Sequence, residues 1–175
     1  MHCTKRQLLI GAASALVMPK ILMANTQAHP LNIPLYHTHT GEKYNLKAEQ
    51  QNTENNADLT KFMRDHRTGD THAMDEKLLD FLQKLYAEFA ITKPEMQIIS
   101  AYRSPKTNAA LAQKNKGVAK KSLHMQGKAI DIRIGSIKTS TVAEAAKKLK
   151  LGGVGVYSRS NFIHLDTGRV RSWGS

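Results

Sequence analysis

The chain has 175 residues, 41% of them hydrophobic and 23% charged, which is ordinary usage for one compact domain and excludes a disordered, collagenous or multi-span membrane protein. Lys and Arg number 26 against 14 Asp and Glu, a formal charge of +12. That sign favours a polyanionic partner, whether nucleic acid, lipid headgroup or cell wall.

Near the N-terminus, Lys5 and Arg6 precede an uncharged run from Leu8 to Met18, and Pro19 and Lys20 follow it. The run is well short of the roughly 20 residues a membrane-spanning helix needs, so residues 1–28 read as an export signal. The stretch Thr4-Lys5-Arg6-Gln7-Leu8-Leu9 resembles a twin-arginine signal in which Lys5 replaces the first arginine. Small residues at Ala24 and Ala28 offer cleavage points, which places the mature start near His29 and leaves a single domain over 29–175. Cys3 is the only cysteine and departs with the signal, so the mature domain has no disulfide and no thiolate ligand. Loss of Lys5, Arg6 and Lys20 takes the charge from +12 to +9. A basic domain exported to the periplasm meets peptidoglycan rather than nucleic acid, and no C/H finger spacing or RNA-binding aromatic motif points the other way. No stable membrane insertion is expected after processing.

Leu31, Ile33 and Leu35 alternate and predict an edge strand that turns at His37-Thr38-His39-Thr40-Gly41. Residues 49–58 are polar and read as a loop or helix entrance. Leu59, Phe62 and Met63 then recur at helical spacing to about Arg67. A stronger helical face combines Leu78, Leu79, Leu82, Leu85, Tyr86 and Phe89, with Asp75 as its cap. Met96 to Ala101 reads as a buried strand, and Pro105 opens a helix to about Lys116. A basic loop covers Gly117 to Leu123. Ala129 to Ile134 is a strand, Ser140 to Lys150 a helix capped by Ser140 or Thr139, and Gly152-Gly153 its terminator. Two closing strands, Val154 to Tyr157 and Asn161 to Asp166, complete an α+β pattern.

Strand geometry makes particular residues interesting. In Ala129-Ile130-Asp131-Ile132-Arg133-Ile134 the isoleucines share one face and Asp131 the other. Alternation in Phe162-Ile163-His164-Leu165-Asp166 likewise sets His164 and Asp166 opposite Ile163 and Leu165. His124 ends the loop before the first of these strands, and Gly127 permits a tight return. Two imidazoles and a carboxylate form the ligand set of a catalytic zinc site with a fourth position for water. The plainer alternative makes His124 a loop residue, Asp131 a turn or capping carboxylate and His164 a satisfied core histidine. His37 and His39 could face one way on a strand, although a Thr- and Gly-rich turn explains them. His66 and His72 read as residues near a solvated helix end. Lys120, Lys121, Lys147, Lys148 and Lys150 read as solvated faces, with Lys120 and Lys121 placed to flank a cleft and attract anionic peptides.

These same residues carry a resemblance. Ser100-Ala101-Tyr102-Arg103-Ser104, the run Ser122 to Ile132, and Gly153-Val154-Gly155-Val156-Tyr157 with His164 resemble the zinc D-alanyl-D-alanine peptidases, and within them the murein endopeptidase K subfamily. The ending Ser158 to Gly168, with Arg171 and Trp173, is similar to that subfamily's. The resemblance implies a hedgehog-like α+β fold with a central antiparallel sheet and helices on one side. It implies one zinc ion on His124, Asp131 and His164, with Arg103 stabilising a substrate carbonyl or carboxylate and Ser122 helping to hold the peptide end. The implied activity is hydrolysis of peptidoglycan crosslinks, between two meso-diaminopimelate residues or, alternatively, at D-alanyl bonds. Many relatives carry Glu three residues, or His two residues, before the last ligand. Here those positions are Asn161 and Phe162, so Asp166 either acts as the catalytic base or fixes a histidine tautomer. The missing base also leaves open a non-catalytic, zinc-containing peptidoglycan-binding module.

Overall fold

Ala129–Ile134 is the strand around which the rest assembles. Its Ile130, Ile132 and Ile134 are wholly buried, and the alternation leaves Asp131 and Arg133 on the opposite face. The computed structural model describes residues 32–47 and 56–174, apart from 91, 93, 116 and 136. The expected signal, its cleavage point and most of the polar stretch 49–58 therefore lie outside the described residues.

In chain order the elements are β1 (Ile33–His37), β2 (Lys43–Leu46), α1 (Ala57–Phe62), α2 (Glu76–Ala87), β3 (Met96–Ser100), α3 (Pro105–Lys114), β4 (Ala129–Ile134), α4 (Thr139–Leu149), β5 (Gly153–Tyr157), β6 (Phe162–Asp166) and β7 (Arg171–Gly174). Short 3-10 turns occupy Leu123–Gln126 and Ser158–Ser160. One seven-stranded sheet runs β2-β1-β3-β4-β6-β5-β7. Its central strands, β3, β4, β6 and β5, pair antiparallel as expected. The flanking pairs β1 with β3 and β5 with β7 are parallel, which makes the sheet mixed.

The inner face of the sheet is covered by α2 and α4. Asp75 caps α2 by accepting from Lys77 N at 2.9 Å, and Leu78, Leu79, Phe81, Leu82, Leu85 and Tyr86 bury its apolar side. Val142, Ala143 and Ala146 of α4 complete the layer over Val154, Val156, Ile163 and Leu165. Burying such side chains stabilises the fold by roughly 1.5–3 kcal/mol each for the larger aliphatics.

Several elements differ in detail from the sequence expectation. The first helix stops at Phe62 rather than near Arg67, because Asp65 turns the chain by accepting from Arg67 N and Ser104 N, each at 2.9 Å. Neither Ser140 nor Thr139 caps α4; its N-cap is Lys138, without a side-chain bond. Thr139 instead donates to Asn161 Oδ1 at 2.6 Å. Lys150, in the left-handed region at φ 54°, ends that helix, so Gly152 and Gly153 are needed for another reason. A Cβ on Gly152 would overlap the Asp166 carbonyl, and one on Gly153 would overlap the Arg171 guanidinium. Strand β7 was not expected at all.

Candidate metal centre

His124, Asp131 and His164 come together as the alternation predicts. Asp131 and His164 are directly opposed across β4 and β6, on the face away from the isoleucines. A register shift in β3 between Ile98 and Ser100 places Ser100 opposite Asp131, the kind of bulge that re-aims backbone beside a site. Ala101 O then accepts from His124 Nδ1–H at 2.7 Å. The 3-10 turn carrying His124 begins with Ser122, whose Oγ accepts from His124 N at 3.3 Å. It closes on Gly127 at φ 64°, where a Cβ would run into the Ala73 carbonyl.

The ligating atoms are spaced for one small cation. His124 Nε2 lies 3.2 Å from His164 Nδ1 and 3.3 Å from Asp131 Oδ1, and His164 Nδ1 lies 2.8 Å from Asp131 Oδ1. Tetrahedral donors at roughly 2.0–2.1 Å from zinc stand about 3.3 Å from one another. Among the described residues, these three form the cluster of His, Cys, Asp or Glu able to hold a metal. The donor set fits zinc chemically as well. His124 spends its Nδ1–H on Ala101 O, and His164 spends its Nε2–H on Asp166 Oδ2 at 3.1 Å, so each imidazole can turn an unshared pair toward the centre.

Burial and charge agree with that reading. Asp131 is 7% exposed and His124 2%. Burial raises the Asp131 pKa, but His124 and His164 outweigh it and hold the carboxyl well below the usual range. Burial likewise opposes charge on His164, yet hydrogen bonds to Asp131 and Asp166 lift its pKa to about 9.

Asp166 is fully buried, and both its oxygens are engaged. Oδ1 accepts from Gly168 N at 2.8 Å and Arg171 Nη1 at 2.9 Å; Oδ2 accepts from Arg171 Nη2 at 2.7 Å and from His164. Desolvation pushes its pKa up, and the bonds from His164, Arg171 and Gly168 drive it far below the normal value. The bond between Asp166 Oδ2 and His164 Nε2 is the contact through which a carboxylate fixes a histidine tautomer, one of the roles the sequence left open. Asn161 and Phe162 supply no base either: Asn161 accepts from Thr139, and Phe162 stacks on Tyr157 at 4.7 Å.

The triad sits in a cleft of about 570 Å3, lined also by Arg103, Lys121, Ser122, Tyr157 and Trp173. Arg103 Nη2 is 3.7 Å from Asp131 Oδ2, too long for a strong bond, which leaves the donor available to an incoming oxygen. Arg103 N donates to His124 O at 3.2 Å. Asn108, 2% exposed, reaches Arg103 Nη1 through Oδ1 at 3.4 Å and donates to Ala119 O and Lys120 O. It thereby ties the arginine to the basic loop. Lys121 does line the cleft, whereas Lys120 borders a separate groove beside α3.

Sequence reasoning missed Asn108, Arg171 and Trp173 as parts of the site, together with the glycines that admit the last two. Across the sheet, Asp131, His164, Gly155 and Trp173 fall in one row, while Asp166, Gly153 and Arg171 fall in the next. Side chains of β7 therefore cross β5 over its glycines and reach β6. The alternation Gly153-Val154-Gly155-Val156, with glycines in step with His164 and Asp166, was the available signal. The other described histidines lie elsewhere: His37 is buried at the end of β1, His39 stacks on His66 at 4.1 Å, and His72 stacks on Tyr102 at 5.1 Å.

Comparison with known proteins gives the family. The family model described as peptidoglycan L,D-endopeptidase MepK, of the Peptidase_M15_2 family, matches residues 25–173. The chain belongs to this family. It is 39% identical over 168 residues to peptidoglycan L,D-endopeptidase MepK of Escherichia coli (strain K12), covering 93% of this chain and 91% of that protein. The match to the protein of the same name in Shigella flexneri has the same identity and coverage. The protein named "Probable peptidoglycan L,D-endopeptidase MepK" in Haemophilus influenzae is 44% identical over 115 residues, 66% of this chain and 62% of the relative. As a family member with a single mixed sheet and helices over one face, the chain has the α+β peptidase architecture that its motifs implied.

Proposed function

We propose that this protein is a zinc-dependent peptidoglycan L,D-endopeptidase of the periplasm, cleaving crosslinks between two meso-diaminopimelate residues. What carries the reading is the convergence of His124 Nε2, Asp131 Oδ1 and His164 Nδ1 within 3.3 Å of one another, in a cleft of a chain from this family. His124, Asp131 and His164 would hold one zinc ion, which, when bound, acidifies its water and polarises a carbonyl. Arg103 donates to the oxygen on which charge develops, from a half-buried position at the lining of the cleft. Asp166, locked by Arg171, keeps His164 in the ligating tautomer. Ser122 has its oxygen engaged by His124 N and lines the cleft, where its hydroxyl can donate to the carboxylate end of a peptide. With Asp166 fully engaged, proton transfer in this scheme belongs to solvent in the cleft. Residues 1–28 act as a removed export signal of twin-arginine type, consistent with the uncharged run Leu8 to Met18 behind Lys5 and Arg6. No helix among the described residues is long and apolar enough to cross a membrane.

A second reading, a zinc-containing peptidoglycan-binding module without turnover, is favoured by Asn161 and Phe162 at the positions where relatives place a base. Digestion of defined crosslinked muropeptides followed by mass analysis separates the two. The endopeptidase releases monomers cut at the diaminopimelate bond and stops when the metal is chelated. Zinc-loaded protein that binds every dimer and cleaves none is the binding module, and products cut at D-alanyl bonds would reassign the specificity.

A further inference from the structure

The cleft beside the metal ligands is lined by two unlike sets of side chains, the cations Arg103, Lys121 and Arg171 and the aromatic rings of Tyr157, Phe162 and Trp173. Trp173 is the only tryptophan in the chain, and its position is imposed by neighbours. Its register partner in β5 is Gly155, and a Cβ on that residue would stand 2.6 Å from the indole. The ring therefore lies across the glycine, 5.4 Å from the His164 ring, with the Arg171 guanidinium 4.7 Å from its centre. Trp173 Nε1–H donates to Tyr157 Oη at 3.2 Å, and Tyr157 stacks on Phe162. Tyr157 is 38% exposed, one of two large hydrophobic side chains so open among the described residues. Three linked aromatic rings thus stand beside the candidate metal centre, one of them lying where a Cβ at position 155 would clash.

Building on the endopeptidase reading, we propose that Trp173 and Tyr157 form a specificity wall for the methylene chain of the crosslinking diamino acid. The chemistry of the lining selects this occupant. A diamino acid crosslink is a run of methylenes bounded by carboxyl-derived groups, which matches an aromatic surface in a cleft that also carries Arg103 and Lys121. A sugar ring would also stack on indole. However, the glycan joins the stem peptide two residues before the diamino acid, about 7 Å of extended chain away, whereas Trp173 touches the ring of a metal ligand. The wall thus meets the residue being cut rather than the glycan that carries it.

Because zinc is d10 and redox-silent, Trp173 emission serves as a direct probe of this wall in the zinc-loaded mature chain. The ligand is the stem tripeptide ending in diaminopimelate, with a tripeptide ending in alanine and the sugar disaccharide alone as comparisons. The diaminopimelate peptide is expected to move the emission to shorter wavelength and shield it from acrylamide, while the comparison compounds leave it unchanged. Gly155→Ala, which displaces the indole, is expected to weaken peptide binding about tenfold, the loss of roughly two buried methylenes. Should that variant fail to fold, Tyr157→Ala at an exposed position is expected to weaken binding about threefold, in line with loss of one aromatic neighbour. Unchanged emission in the presence of the diaminopimelate peptide overturns the proposal, as does an equal response to the alanine peptide or to the disaccharide. An indole that responds while crosslinked dimers remain intact keeps the wall and removes the endopeptidase reading instead.

Discussion

Two groups of histidines in this molecule look alike in composition and behave in opposite ways. At the candidate metal centre, His124 and His164 each have one ring nitrogen committed, to Ala101 O and Asp166 Oδ2, and both turn the other toward Asp131. In the corner between the β1–β2 turn and the Asp65 loop, His37, His39 and His66 pack ring against ring, with centroids 4.1–6.2 Å apart. His37 Nδ1 accepts from His39 N at 3.3 Å, and its buried Nε2 has no hydrogen-bond partner. Burial, Arg67 and the neighbouring histidines push the His66 pKa down to about 4, with Asp65 opposing. At the metal centre the carboxylates lift His164 to about 9. What suits imidazoles to a metal is a shared anion and an anchored second nitrogen; in the corner cluster stacking takes their place.

The contrast is broken or sharpened most strongly at the ligands. His124→Ala is expected to remove zinc from the purified chain and lower turnover on the order of a thousandfold. His39→Ala should keep one zinc per chain and leave turnover within about twofold, because a stacked exposed ring carries little energy. Metal content by elemental analysis beside muropeptide digestion checks both, and zinc loss in the His39 variant would merge the two clusters into one system. A smaller effect is expected where the anchoring carboxylate is itself held. Arg171→Ala frees Asp166 from its two guanidinium bonds and should weaken zinc binding about 10- to 100-fold, the range for residues that orient a ligand. Gly153→Ala, whose Cβ would displace that guanidinium, should do the same without removing any polar group. Competition against a chelating dye measures both affinities, and an unchanged constant would show that His164 needs no such support.

The smallest effect concerns stability in acid. His66 is neutral in the folded chain until about pH 4, whereas the unfolded chain protonates it near 6.5. Between those values the unfolded state binds the extra proton, so stability falls as pH drops from 6.5 toward 4. His66→Phe should flatten that part of the profile in urea unfolding while leaving stability at pH 8 little changed. A variant with the same acid limb as the parent would show that His66 titrates freely.

Much of this was legible along the chain. The apolar stripe of α2 and the alternation of β4 and β6 follow from local periodicity, so the helix and both ligand-bearing strands could be placed, and Asp131, His164 and Asp166 assigned to a common type of face. The task of Asp166 could not be read, because its partner Arg171 belongs to a strand four residues long that follows a polar turn and pairs with β5, not with its sequence neighbour. Gly153 of β5 reads as the end of a helix for the same reason: the guanidinium it makes room for comes from 18 positions further on.

The sequence by itself determined which residues alternate, which helix face is apolar and which side chains could ligate, since those properties depend on neighbours a few positions away. Tertiary structure decided which nitrogen of each histidine faces the centre, that Asp166 is held rather than free, and that an aromatic wall stands beside the ligands. Those outcomes depend on the register of strands that meet only after folding, where one Cβ present or absent decides whether a side chain can cross.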